Sequence, residues 1–326
     1  MAAESFRAAF ANALHVPVED TFIELVKAAG AVLGPYSKPL EDMLLATLNH
    51  HFPAQTAGFF RWVAAVQSPH TAKLPFMNPV HALFAVIAYF VIVFVGSAIM
   101  RPLPRFQLKT FSLLHNLFLT LLSAYMASAT YIHAKRAGYK LLQFNNSVDH
   151  SDSGFPMAKI IWLFYFSKLP EFIDTFIMVL KKNFRQISFL HVFHHSSILV
   201  VQWFVVMMAP GGETCLSTIL NSSVHVVMYG YYLLSALGIK SVSAIKRYIT
   251  TMQMTQFVIL FVQGIVDWYT PTYRPESASN YPPSLAIMLV FYMISMLVLF
   301  GNFFIQDKRR AEQAKLEAKL KAAKSL

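Results

Sequence analysis

The chain has 326 residues, of which 56% are hydrophobic and only 13% charged, where a soluble domain is roughly a quarter charged. That balance excludes an ordinary water-soluble enzyme and points to a membrane. The net charge of +11 does not signal nucleic acid, because the basic residues gather beside the ends of apolar stretches, where they attract anionic lipid head groups and fix topology.

Cys215 is the single cysteine, which excludes an intrachain disulfide framework and any CxxC zinc or redox motif. No signal peptide is read at Met1, so the first membrane helix is expected to do the targeting. Residues 1–75 hold too many charges and prolines to span a bilayer. The segments 21–33 and 39–48 are amphipathic and are expected to lie in the lumenal interface.

Apolar stretches of about 20 residues, the length that crosses a bilayer, fall near 80–100, 111–133, 157–181, 187–209, 215–237, 249–269 and 284–305. They predict an all-α polytopic membrane domain of seven transmembrane helices over residues 76–306, followed by a basic tail, 307–326. In the third stretch, Pro170 with Lys168, Glu171 and Asp174 predicts a kink tolerated by neighbouring helices. Arg101, Arg105 and Lys109, then Lys181, Lys182 and Arg185, then Lys240, Lys246 and Arg247 mark alternate loops. Those loops and the tail are therefore expected in the cytoplasm, with the N-terminus and the loop after the second helix in the lumen.

Five of the helices carry a polar stripe. The fourth has His191, His194 and His195 at i, i+3 and i+4, with Gln202 on the same face. The third has Lys168, Glu171, Asp174 and Thr175; the fifth has Asn221, His225, Tyr229 and Tyr232. The sixth presents Gln253, Gln256, Gln263 and Asp267, and the second Ser112, His115, Asn116 and Ser123. Lipid cannot satisfy such groups, so the stripes must face one another. At 1.5 Å per residue, Asp174, His194, His195, Tyr229 and Gln256 share a layer roughly 10 to 12 Å from the cytoplasmic helix ends. Ser112, Ser123, Gln202 and Gln263 read as interhelical glue, and His81, His115 and His133 as satisfied bundle or interfacial histidines.

Three readings fit the histidine cluster. An HxxHH box occurs in membrane di-iron desaturases and hydroxylases, but those need several boxes and this chain has one. A neutral imidazole can instead attack a thioester and form an acyl-imidazole, with neighbouring imidazoles or carboxylates moving the proton. A receptor or channel leaves so many catalytic residue types in one layer unexplained.

The runs Lys168-LPEFIDT, His191-VFHH, Asn221-SSVHVVMYGYY and Thr250-TMQMTQF resemble, in order and spacing, the signature motifs of the fatty acid elongases, the membrane 3-ketoacyl-CoA synthases. The resemblance covers roughly residues 75 to 305. Phe111-SLLHN and Gln186, five before His191, look most like fungal polyunsaturated elongases of the delta-6 type. The resemblance implies condensation of acyl-CoA with malonyl-CoA to 3-ketoacyl-CoA, carbon dioxide and CoA in the endoplasmic reticulum, without a metal or cofactor. His194 would be the nucleophile and His225 the residue that assists the malonyl step. His191 and His195 would orient and move protons, with Asp174 and Glu171 behind them. Lys168, Asn221, Tyr229, Gln253, Gln256 and Asn116 would bind substrate. An apolar acyl tunnel below the histidines, lined by residues such as Trp162, Phe164, Trp203 and Met293, would measure the chain. A homodimer and association with other elongation-cycle enzymes are the expected protein partners, alongside membrane lipid.

Overall fold

The computed structural model describes residues 17–239, 245–273 and 279–324, and all of its long elements are helical. Residues 1–16, Lys240 and Arg274, which the sequence reading counts, lie outside the described residues. We number the helices α1 Val18–His51, α2 Pro53–Val66, α3 Pro79–Met100, α4 Lys109–Arg136 and α5 Phe155–Phe166. They continue with α6 Lys168–Leu180, α7 Phe189–Met208, α8 Thr214–Ala236, α9 Lys246–Tyr273 and α10 Pro283–Lys324. The protein is an all-helical, multi-span membrane protein. Among the described residues, five helices, α3, α4, α7, Tyr248–Pro271 of α9 and Pro283–Gln306 of α10, are each long and apolar enough to cross a membrane.

Two of the seven expected spans differ from that description. The third is two helices, α5 and α6, which meet at Ser167. Pro170 is the cause: it lacks an N–H, and as the third residue of a new helix it sits where that donor would be unpaired anyway. The fifth, α8, is a continuous helix of 23 residues, but its polar stripe lowers its apolar character. The N-terminal region differs too. The two amphipathic segments are parts of one 34-residue helix, α1, that runs through Pro35 and Pro39. Only its first turns are buried: Phe22 packs on Phe118 and Phe166, Asp20 pairs with Lys159 at 2.6 Å, and Glu19 accepts from Tyr125 Oη at 2.5 Å. Farther along, Leu25, Val32, Tyr36, Leu40 and Met43 form an exposed apolar stripe.

Helix packing follows the small residues. On α4 the buried positions Ser112, Asn116, Leu119, Ser123, Met126 and Thr130 recur every three or four residues and make a narrow seam. It lies along α8, whose buried face includes Thr218 and Ser222. Helices α9 and α10 form the other close pair. A Cβ on Gly264 would stand 2.9 Å from Val290 Cγ2 and 3.2 Å from the Ala286 carbonyl oxygen, so glycine there sets their spacing. Gly264→Val should destabilise the protein by about 1–3 kcal/mol, read as a lower midpoint of thermal unfolding in detergent.

The loops gather at two ends. At one, Phe106 N–H donates to Leu180 O at 3.0 Å and Lys182 Nζ to Arg101 O at 2.8 Å. At the other, Ser68 N–H donates to Met207 O at 2.7 Å, Asn146 Nδ2 to Glu213 Oε1 at 2.9 Å and Asn280 Nδ2 to Val148 O at 2.8 Å. The basic loops after α3 and α6 thus share one end, and the loops after α4, α7 and α9 share the opposite one. Asn145, in the sequon Asn145-Asn146-Ser147, is exposed at that second end, whereas the matching Asn221 lies within α8. A cysteine placed at 145 in an otherwise cysteine-free variant should be protected from cytosolic labelling reagents and accessible from the lumen. Cytosolic labelling would invert the topology.

Candidate active site

Helix α6 places four polar side chains at the centre of the bundle. Lys168 and Glu171 are almost wholly buried, and the Lys168 ammonium lies 2.6 Å from Glu171 Oε1 and 4.3 Å above the Phe164 ring. The same Glu171 oxygen is 3.5 Å from His225 Nδ1 on α8. One turn on, Asp174 accepts from two other helices: His115 Nε2 at 2.9 Å on α4, and Tyr229 Oη at 2.7 Å on α8. Thr175 Oγ1 completes the face, 2.7 Å from His191 Nε2 and 3.3 Å from Tyr89 Oη.

The three adjacent histidines emerge from the first two turns of α7. Ser188 caps that helix by accepting from the His191 N–H at 3.3 Å. Past the cap, the spacing turns all three imidazoles inward. His195 is buried between Tyr89 and Phe172, with ring centroids 6.0 and 6.3 Å away, and is 4.3 Å from His191. His194 points elsewhere. Its Nδ1 lies 3.3 Å from Tyr292 Oη on α10, and that hydroxyl is 3.1 Å from Ser197 Oγ. Ser197 in turn donates to the Phe193 carbonyl at 2.6 Å.

His194 also lines a narrow cavity of about 50 Å³ that runs between α7, α8, α9 and α10. Ile198, Val201, Gln202 and Val205 continue its α7 wall at helical spacing, over about 16 Å from His194. Asn221, Gln256, Phe257, Leu260, Gln263, Met288, Leu289 and Met293 complete the wall, and Glu213 and Tyr281 stand at the far end. Burial pushes the Glu213 carboxyl above its ordinary value, against the opposing pull of donors from Asn146 and Gln263. A volume of that size holds only a few waters.

The structure brings together His191, His194, His195, His225, Glu171 and Asp174, and sets Asn221 and Gln256 on the cavity wall. Lys168 and Tyr229, expected to bind substrate, make contacts to Glu171 and Asp174. Gln253 contacts Met228 Sδ at 3.9 Å, and Asn116 is buried on α4. His115, read from the sequence as ordinary packing, is part of the Asp174 network. Trp162 and Trp203 do not line this cavity: their indole N–H groups donate to Pro75 O and Met77 O within the core. Tyr89 and Tyr292 were missed because each lies in an apolar stretch, where Tyr89 has no polar neighbour at helical spacing and Tyr292 has only Ser295.

Residues 74–316 match the GNS1/SUR4 (ELO) family. The chain is 40% identical over 278 residues to fatty acid elongase 6 of Leishmania major, covering 84% of this chain and 72% of that one. It is 37% identical over 231 residues to very long chain fatty acid elongase 5 of Xenopus tropicalis, covering 70% and 75%. Against very long chain fatty acid elongase 5 of Homo sapiens it is 33% identical over 278 residues, covering 81% and 87%. The match decides between the enzyme classes that one histidine box left open: the chain belongs to the GNS1/SUR4 family and is a fatty acid elongase, a 3-ketoacyl-CoA synthase acyltransferase of very-long-chain fatty acid elongation.

Proposed function

We propose that the protein condenses polyunsaturated acyl-CoA, of the delta-6 type taken by fungal elongases, with malonyl-CoA in the endoplasmic reticulum membrane, through an acyl-imidazole on His194. In this reading α5–α6 and α8 complete seven crossings, and the apolar stripe of α1 lies against the lumenal leaflet. The observation that carries it is the position of His194, which stands at once on the cavity wall and beside the polar layer.

The hydrogen-bond chain supplies the tautomer. Ser197 spends its proton on a backbone carbonyl, so its oxygen accepts from Tyr292. The Tyr292 oxygen then accepts from His194 Nδ1–H. Nε2 is left with its lone pair free, as nucleophilic attack requires. Nε2 attacks the thioester carbonyl, the C–S bond breaks and CoA leaves as thiolate to take up a proton. Malonyl-CoA then loses its carboxyl as carbon dioxide, and the electron pair of that C–C bond becomes an enolate. Its carbon attacks the acyl carbon, the C–N bond breaks, and His194 recovers its lone pair with release of 3-ketoacyl-CoA.

His225 is suited to the second half. Glu171 faces its Nδ1 at 3.5 Å and orients the ring, which leaves Nε2 as the nitrogen that can meet the malonyl group. Lys168 holds Glu171 in place, while Asp174 and Thr175 orient Tyr229, His115 and His191.

Incubation with acyl-CoA alone should release free CoA and leave the intact protein heavier by one acyl group. His194→Ala should abolish both events. His225→Ala should still acylate but form no 3-ketoacyl-CoA. An undiminished adduct in His194→Ala, or an acyl group on Cys215, would assign the nucleophile elsewhere.

Tyr292→Phe keeps the ring and removes the acceptor. The first half-reaction should slow by about tenfold, roughly 1.4 kcal/mol, with decarboxylative transfer from the preformed acyl-enzyme changed far less. Equal slowing of both halves in single-turnover measurements would count against a role in setting the His194 tautomer.

A further inference from the structure

The far end of the cavity is rich in acceptors. Gln202 on α7 and Gln263 on α9 both line it, are 7% and 1% exposed, and each has a buried amide oxygen with no hydrogen-bond donor. The orientation of Gln263 is forced: its Nε2 donates to the Glu213 backbone carbonyl at 2.8 Å and to Glu213 Oε2 at 3.1 Å. A flipped amide would set oxygen against oxygen at both contacts, so Oε1 is the atom left over. The other Glu213 carboxylate oxygen is already engaged by Asn146 Nδ2 and by the Asn146 backbone N–H.

A methyl group arriving there would leave these acceptors desolvated, and a buried polar group without its partner is costly. A hydroxyl would supply the missing proton. Between His194 and this patch the α7 wall is apolar at Ile198 and Val201, faced by Leu260 and Leu289, and a hydroxyl placed against those side chains would itself be stranded, whereas the polar Ser217, Asn221 and Gln256 occupy other parts of the lining. We propose that the end of the cavity remote from His194 is a subsite for a hydrogen-bond donor at the ω end of the acyl chain. The enzyme would then prefer ω-hydroxyacyl-CoA to the methyl-ended acyl-CoA at the length that reaches Gln202 and Gln263. This rests on the reading of the cavity as the acyl site.

The test is competition between methyl-ended and ω-hydroxy acyl-CoAs paired at each length of a series, with malonyl-CoA and the full-length enzyme in detergent. The ratio of the two 3-ketoacyl products, read by mass spectrometry, does not depend on how much enzyme is active. Shorter pairs should favour the methyl-ended chain, and one length should reverse the ratio to about tenfold in favour of the hydroxyl. Gln202→Leu and Gln263→Leu should each remove most of that reversal; Gln202→Leu leaves the Glu213 contacts intact. A methyl preference at every length, as expected if water serves these acceptors, would overturn the proposal, as would a reversal unchanged in both variants. If no methyl-ended chain is elongated at all, the acyl-site reading fails and this inference fails with it.

Discussion

A carboxylate at membrane depth has no water to turn to, and Asp174 meets that constraint with donors from two other helices. His115 on α4 and Tyr229 on α8 each take one of its oxygens, so three helices are fixed at one point. The bonds also set the rotation of α6 about its axis. Once Asp174 faces α4 and α8, Thr175 must face α7, where it meets His191, and Glu171 must face His225. The geometry of the candidate site is thus a consequence of neutralising one buried charge. Glu171 needs a separate solution, and Lys168 one turn before it supplies the compensating charge within the same helix.

Much of this layer was legible because helical periodicity and the cost of polar groups in lipid act together. Lys168, Glu171, Asp174 and Thr175 announce a common face by their spacing, as do the three adjacent histidines of α7. What periodicity does not reveal is which partner each group finds. His115 looked like a packed histidine because nothing on α4 itself is acidic; its partner is 59 positions away. Tyr292 sits in a run of Leu, Val, Phe and Met, and its hydroxyl becomes meaningful only when α10 lies beside α7. Trp162 and Trp203 do not line the cavity for a related reason. Each is large and at the right depth, but each has an N–H that must find an acceptor, and the chain segment preceding α3 provides it.

The helix boundaries show a second limit. Hydropathy alone runs straight through Ser167, since α5 and the end of α6 are both apolar, and only backbone chemistry at Pro170 breaks the helix there. Ser167 keeps helical backbone angles, and its N–H and C=O bond to Leu163 and Glu171 across the junction; on either side of it α5 serves the core while α6 turns its polar face to the histidines.

Helix α7 divides the protein's apolar interior. Leu199, Trp203 and Val206 belong to the core built with α1, α3 and α5, whereas Phe193, Ile198 and Val201 pack toward Phe257, Met293 and Met296 of α9 and α10. The cavity runs along the second boundary, and its walls there carry methionines and branched aliphatics without cross-linking hydrogen bonds over most of their length. Parting α9 and α10 from α7 therefore widens the tunnel without touching Asp174, Glu171 or their partners. Two bonds cross that boundary at the level of the histidines, from Tyr292 to His194 and to Ser197. In the proposed reading, a chain that pushes the walls apart beside Met293 strains these contacts, and with them the tautomer that keeps Nε2 free, so that Tyr292 couples occupancy of the cavity to the reactivity of His194.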